Sequence, residues 1–321
     1  MVQDVWSDHR HCSDHHPLKV LGMPPFLQDG DTIGIVATAR KISFEEAAPA
    51  IGMLVDEGFK VRTSQRMFGV SNQFSGTDEE RAADLQRMLD DPEVKAILCA
   101  RGGYGTVRII DRLDFTEFVK HPKWICGFSD VTVLHSHIHR HFGMATLHSS
   151  MLFNMRAMQP DHASFRTLVG ALKGEFPSLQ VPSTELNRLG TCEAEVVGGN
   201  LSILYSLLGS DSDIETDGKI LFLEDLDEYL YHLDRMMMNL SRNGKLSRLA
   251  GLIVGGMTDM NDNAVAFGET AEQIIARHAA AFDYPVAFGF PVGHLDENHA
   301  LIFGKKAALR ISEGGCELRY V

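Results

Sequence analysis

Residues 123–132 read KWICGFSDVT, and this stretch decides the fold. Trp124, Ile125 and Cys126 form a short apolar run that stops at Gly127, and Ser129-Asp130 then opens the helix-like pattern VTVLHSHIHRHFG of residues 131–143. A run of that length bounded by glycine is a buried strand, and Ser and Asp are residues that start helices. The stretch is therefore a strand, a sharp corner and a helix, with a hydroxyl placed on the corner. Serine at such a corner either caps the helix, for about 1 kcal/mol, or presents Oγ beside the free N–H groups of the helix start, where it can do chemistry.

The same alternation extends on both sides. DTIGIVATAR (31–40) is a strand ending in small residues, SFEEAAPAIGMLVDEGF (43–59) a helix, KVRTS (60–64) a short strand and TDEERAADLQRMLDD (77–91) a helix. VKAILCARGGYG (94–105) is a strand running into a glycine-rich turn, and TVRIIDRL (106–113) is expected to add a further helix. Strands alternating with helices imply right-handed crossovers and a largely parallel sheet covered on both faces. In such sheets ligands collect at the carboxyl ends of the strands. Three loops belong there: ATAR (37–40), ARGGYG (100–105) and GFSD (127–130).

The first α/β domain is expected over residues 23–155, and polar residues with Pro160, Pro177 and Pro182 mark 156–190 as a connecting segment containing one helix. A second unit, 191–321, begins with CEAEVVGGNLSILYSLLGS (192–210) and continues through the strand KILFLEDL (219–226), the helix YLYHLDRMMMNLSRNG (229–244) and the strand GLIVGG (251–256). The helix TAEQIIARHAAAF (270–282), the strand PVAFGFPVGH (285–294) and β-hairpins over 300–321 complete it. Residues 1–22, with His9, His11, His15 and His16, have the composition of a flexible extension.

Composition narrows the function. The 321-residue chain is 44% hydrophobic and 23% charged, as an ordinary globular protein is, and its net charge of -13 without a basic stripe argues against nucleic acid. No apolar run is long enough to cross a membrane and no signal-peptide pattern opens the chain, so a cytoplasmic location is expected. The five cysteines, at 12, 99, 126, 192 and 316, form no CxxC pair, which points to reduced thiols.

A strand-terminal serine, a strand-terminal acid and a strand-terminal histidine are the parts of a nucleophilic triad: Ser129, Glu224 and His294. Serine attacks only when a histidine takes its proton, and the histidine needs an acid to fix its tautomer and balance its charge. Asp225, Asp227 and Glu228 compete for the acid, although Asp225 should project from the opposite strand face. His299 competes for the base. The run His135, His137, His139, His141 contains i, i+4 pairs of the kind zinc sites use, but it lacks the acid of H-E-x-x-H and reads as a solvated or partly buried helix face. ARGGYG lacks the Lys-Ser/Thr end of a phosphate loop.

Taken together, ARGGYGTVRIID, GFSDVTVL, GGNLSIL, LFLEDL and GFPVGHLDENHALIFGKKAAL resemble, in order, the LD-carboxypeptidase family of serine peptidases. That family includes murein tetrapeptide carboxypeptidases and microcin-immunity hydrolases. The resemblance runs from about Pro24 to Val321, with ATA at 37–39 where the family has an APA-type start. It implies a flavodoxin-like N-terminal domain, a smaller C-terminal α/β domain, a Ser129-Glu224-His294 triad between them, no metal or cofactor, and a homodimer. It also implies backbone donors at Asp130 and Gly103 for an oxyanion, with Arg101, Arg40 and Asn200 as residues that could meet substrate. The implied reaction releases D-alanine from cytoplasmic murein tetrapeptide. A same-family amide hydrolase acting on a peptidyl-nucleotide antibiotic, and a two-domain binding protein without chemistry, are the alternatives.

Overall fold

The computed structural model describes residues 22–321. The expected N-terminal extension, with its four histidines and Cys12, lies outside the described residues except for Gly22.

The first strand, β1 (Thr32–Val36), is buried along its whole length. Helix α1 (Phe44–Asp56) follows, opened by a reciprocal cap in which Ser43 Oγ accepts the Glu46 N–H and the Glu46 carboxylate accepts the Ser43 N–H. After β2 (Lys60–Thr63), helix α2 (Asp78–Asp90) starts on the same device, built from Thr77 and Glu80. Then come β3 (Val94–Cys99), the short α3 (Thr116–Lys120), β4 (Trp124–Gly127), α4 (Thr132–Phe142), β5 (Thr146–His148) and α5 (Leu152–Met155). These five strands are parallel and lie in the order β2-β1-β3-β4-β5, the flavodoxin-like arrangement whose ligand crevice opens beside β1 and β3.

The helix expected over 106–113 is not formed. Two single 3₁₀ turns, Thr106–Arg108 and Ile110–Arg112, stand there instead. Four of the first five residues are β-branched, which weakens an α-helix.

The remaining chain contains α6 (Ala163–Lys173), β6 (Ser178–Val181), β7 (Gly190–Asn200), α7 (Leu201–Leu207), β8 (Ile220–Leu226), α8 (Leu230–Arg242), β9 (Gly251–Thr258), α9 (Ala271–Ala279), β10 (Val286–Ala287), β11 (Leu301–Phe303), β12 (Lys306–Ser312) and β13 (Gly315–Tyr320). The second sheet runs β10-β9-β8-β7-β12-β13-β6. Its first four strands are parallel, and the last three join antiparallel. Strand β11 leaves this unit and pairs antiparallel with β5, so the chain's last part closes the edge of the first sheet.

Two expectations change here. The segment 156–190 holds one helix, as read, but also β6, an edge strand with Leu179 and Val181 buried and Ser178 and Gln180 exposed. Four residues bracketed by Pro177 and Pro182 are too short for that alternation to stand out. The strand expected over 285–294 is only Val286–Ala287, because Gly289 and Gly293 take positive φ and turn the chain.

Helix α4 lies between the two units. His135 is buried, with Nε2 donating to Gly127 O at 2.8 Å and Nδ1 accepting from Thr146 Oγ1 at 2.8 Å. The rest of the run reaches the second unit. His137 Nδ1 meets Ser212 Oγ at 2.9 Å, His141 Nε2 donates to Asp211 O at 2.8 Å, Arg140 donates to Asp213 O, and His139 Nε2 stands 3.3 Å from Glu195 Oε2. Among the described residues no group of three His, Cys, Asp or Glu side chains is placed to hold a metal ion.

Burial depresses the pKa of His135 and of His137 to about 4, helped at His137 by His141, and drives that of His148 well below its ordinary value of 6.5. The unfolded chain therefore binds protons first as pH falls. The stability these groups contribute is full above pH 6.5 and is lost as pH falls toward 4. The thermal midpoint, measured by calorimetry across that window, is expected to fall steeply. His135→Phe should lower it at pH 7, since Gly127 O loses its partner, and should flatten the decline below 6.5.

Candidate active site

The corner after β4 is strained. Ser129 has φ +61°, in the left-handed region that costs a non-glycine residue about 1–3 kcal/mol and that gathers at functional sites. Neither the 3₁₀ turn Ser129–Val131 nor α4 receives a side-chain cap, so Ser129 is not serving as the helix cap its sequence position allows. Behind it, His135 ties the start of α4 to the Gly127 carbonyl. In front, a Cβ on Gly102 would stand 3.2 Å from Ser129 Oγ, so the glycine turn after β3 lies directly against the hydroxyl.

Ser129 and His294 line one cavity of about 590 Å³ between the two sheets. The loops after β1, β3 and β4 supply Arg40, Arg101, Gly102, Gly103 and Phe128; Asn200, Asp225, Asp227 and Glu228 come from the second unit. Glu224, at the end of β8, is fully buried. Its Oε2 accepts the His294 Nδ1–H at 2.6 Å and the His294 backbone N–H at 3.1 Å. Because Nδ1 carries the proton toward the carboxylate, Nε2 is the ring nitrogen left with a lone pair. The Phe128 ring packs against the imidazole with centroids 4.7 Å apart.

Electrostatics at His294 oppose one another. Burial is the largest single effect and disfavours the charged ring, but the charge and hydrogen bond of Glu224, with a contribution from Asp225, outweigh it and raise the pKa above 6.5. Glycine at 293 is required: φ is +108°, and a Cβ there would lie 2.7 Å from both Glu224 Cβ and Oε2.

Asp225 does point away from the Glu224–His294 pair, as strand alternation requires, but not into solvent. It is buried, accepting from Asn200 Nδ2 at 2.9 Å, the Ser202 N–H at 2.9 Å and its own neighbour Leu226 N–H. Burial and the Glu224 charge raise its pKa to about 7. The register of β8 against β9 shifts between Leu223 and Asp225, and both carboxylates are buried. Asp227 instead bonds Asn261 Nδ2, Glu228 bonds His232 Nδ1, and His299 lies 3.5 Å from Glu297.

The other residues singled out in the sequence are also placed. Asn200 lines the cavity, but its Oδ1 accepts from Ser202 Oγ and the Ile203 N–H and its Nδ2 serves Asp225. Arg101 lies 3.8 Å over the Phe153 ring and donates to Lys41 O. Arg40 covers Gly103, where a Cβ would meet its Cγ and Nε at 2.8 Å. Asp130 is fully buried beneath the corner. Sequence reasoning passed over Arg81, Thr132 and Asn298. Asn298 Oδ1 accepts the Gly293 N–H at 2.8 Å and so steadies the turn carrying His294. Thr132 Oγ1 accepts the Asn200 N–H at 3.0 Å. An ordinary polar residue in a loop or helix gives no periodic signal, although Thr132 and Asn298 each sit within four residues of Ser129 or His294.

Comparison with known proteins settles the family. The LD-carboxypeptidase N-terminal domain model matches residues 33–149, and the LD-carboxypeptidase C-terminal domain model matches residues 193–309. The chain belongs to the LD-carboxypeptidase family. It is thus a hydrolase of the serine carboxypeptidase type. A probable murein peptide carboxypeptidase of Bacillus subtilis (strain 168) is 37% identical over 294 residues, covering 90% of this chain and 92% of that protein. The crystal structure of a muramoyltetrapeptide carboxypeptidase from Oxalobacter formigenes superimposes with a TM-score of 0.81 at 25% identity, over 90% of this chain and 98% of that one. The microcin C7 self-immunity protein MccF shares the fold, with a TM-score of 0.81 at 21% identity over 93% and 98% of the two chains.

Within this LD-carboxypeptidase, Gly293→Ala is expected to displace Glu224 or the His294 turn. Peptide hydrolysis should fall at least a hundredfold, with a lowered thermal midpoint; unchanged turnover would show that the Glu224–His294 geometry is not needed.

Proposed function

We propose that this LD-carboxypeptidase cleaves the L,D-peptide bond before the terminal D-alanine of murein tetrapeptide during cytoplasmic cell-wall recycling, through an acyl-enzyme on Ser129. The observation that carries the reading is the Glu224–His294 pair, held at 2.6 Å and opening on the cavity that Ser129 lines. The printed names of the Bacillus and Oxalobacter proteins support the substrate class. A binding protein without chemistry would have no use for an aligned carboxylate–imidazole pair beside a strained serine.

In this mechanism Ser129 Oγ attacks the carbonyl carbon of the residue before D-alanine and its proton passes to His294 Nε2. Glu224 holds Nδ1–H and balances the imidazolium charge. The carbonyl oxygen, now negative, is received by the backbone N–H groups of Asp130 and Gly103. Collapse expels the amine of D-alanine, which takes the proton from Nε2, and water then releases the acyl group by the same steps with His294 as base. Arg40, poised over Gly103, receives the terminal carboxylate with Arg101 behind it. The N-terminal domain (23–155) and the C-terminal domain (191–321) thus each supply part of the triad, and the enzyme works as a homodimer.

The cavity favours a peptide over a nucleotide amide. Its two aromatic lining residues are already covered, Phe128 by His294 and Phe153 by the guanidinium groups of Arg101 and Arg156, so neither offers a free face for a base.

Purified protein should release D-alanine from L-Ala-γ-D-Glu-meso-diaminopimelate-D-Ala. Ser129→Ala should abolish release while leaving the circular dichroism spectrum intact. Neutral His294 is the active form, so kcat/KM should rise with pH through its raised pKa and then level. Glu224→Gln should lower kcat by about 10⁴ and move that acid limb to lower pH, because the charge that raises the imidazole pKa is gone. Turnover surviving Ser129→Ala, or an acid limb unmoved by Glu224→Gln, would overturn the assignment. Hydrolysis of a peptidyl-nucleotide amide with no D-alanine release would select the immunity-type reaction instead.

A further inference from the structure

The two backbone groups assigned to the oxyanion sit on different strand ends. Gly103 belongs to the turn after β3 and Asp130 to the corner after β4, and nothing in either loop's own hydrogen bonding fixes one against the other. The link is the Asp130 side chain. Its carboxylate, with no exposed surface, turns back beneath the corner and accepts the Thr106 N–H at 2.8 Å, just beyond the end of the glycine turn. Its second oxygen has no hydrogen-bond partner among the described residues.

The same end of the turn is held from the other side. Arg81, on α2, is 2% exposed and donates through NH1 to Gly105 O at 2.9 Å and to Thr38 O, while NH2 pairs with Asp78. Thr38 Oγ1 and Thr106 Oγ1 lie 2.8 Å apart. Arg81 therefore joins the loops after β1 and β3, and its positive charge reaches Asp130. Burial of a carboxylate beneath a catalytic corner is unfavourable unless hydrogen bonds hold it. Asp130 caps neither the 3₁₀ turn nor α4, so capping does not account for its type at this position.

We infer that the Asp130 side chain is a positioning residue: through the Thr106 N–H it locks the glycine turn of residues 102–105 onto the nucleophile corner and so sets the spacing of the two oxyanion donors. This rests on Ser129 being the nucleophile. The carboxylate touches no substrate. Its effect should appear where negative charge develops on the substrate oxygen and not in ground-state binding.

Three variants separate this from a local structural role. Asp130→Asn keeps an acceptor of the same reach. Asp130→Ser keeps a residue that caps helices about equally well, but its hydroxyl falls short of Thr106. Asp130→Ala removes both. D-alanine release gives kcat and KM. A fluorophosphonate probe gives a second readout: Ser129 Oγ bonds to phosphorus, fluoride leaves with the bonding electrons, the proton passes to His294, and the phosphoryl oxygen occupies the same two donors. Asp130→Ser is expected to lose about a hundredfold in kcat, the scale of one missing oxyanion donor, with KM within threefold and a parallel fall in phosphonylation rate. Asp130→Asn should recover most of that loss. Asp130→Ala should behave like Asp130→Ser where it folds, and the Asn/Ser contrast decides the matter where it does not. Asp130→Ser with wild-type kcat and phosphonylation, or equal losses in the Asn and Ser variants, would overturn the inference. Ser129→Ala, run alongside, tests the nucleophile itself: a dead Ser129→Ala beside a fully active Asp130→Ser rejects the positioning role alone.

Discussion

The backbone N–H of Asn200 donates to Thr132 Oγ1 at 3.0 Å, and the geometry of the site depends on that contact. Thr132 is the first residue of α4, three positions after Ser129, and Asn200 is the last of β7, whose neighbour β8 carries Glu224. The bond sets the carboxyl end of the second sheet against the helix that leaves the Ser129 corner. It requires a bare backbone at residue 199, since a Cβ there would meet Thr132 Cγ2 at 2.7 Å. The outer turns of α4 repeat the attachment through His137, His139 and His141, and β11 repeats it at the edge of the first sheet. A site divided between two sheets holds its distances only if the sheets cannot slide, and these contacts are distributed along one helix for that purpose.

Within the site, two neighbouring carboxylates have different partners. Glu224 faces an imidazole and accepts two hydrogen bonds on one oxygen, so its charge is used to hold and ionise His294. Asp225, one residue later, faces only neutral donors, and burial beside Glu224 pushes its pKa up to about 7. Two full negative charges on adjacent buried residues would repel each other in a medium of low effective dielectric. The raised pKa of Asp225 eases that repulsion, and the charge it keeps adds to that of Glu224 at His294. Asp225 is therefore a buried structural acid, even though it points away from the Glu224–His294 pair.

Much of this was legible from residue patterns because the pattern and the physics coincide there. Buried parallel strands read as continuous apolar runs, so KWICGFSD and VKAILCARGGYG marked their strands and the loops at their ends. The placement of Ser129 and Glu224 at or near strand ends followed from the same logic, whereas His294 lies seven residues beyond β10, in a turn shaped by Gly289 and Gly293. What escaped was whatever lacks a period. Strand β6 is four residues between prolines, the 106–113 segment has apolar residues that are largely β-branched, and the path of β11 to the other sheet is a tertiary choice no local pattern encodes. Arg81 looked like one more charged residue on an amphipathic helix, yet it is among the most deeply buried side chains in the protein.

The histidine run shows why side-chain identity alone misleads. Four histidines on one helix invite a metal reading, but their spacing of two residues turns successive rings about 200° apart, so His135 and His139 share one side of α4 and His137 and His141 the other. His135 binds the carbonyl of Gly127 in the first sheet, while His137, His139 and His141 reach polar groups of the second unit. Imidazole suits both tasks because one ring offers a donor and an acceptor in a flat, largely apolar body. Its Nε2–H holds the strand end at Gly127 without introducing charge beneath Ser129, which a lysine or arginine at residue 135 would do. A neutral brace at that depth adds no charge to the corner, and the low pKa of His135 follows from the same burial.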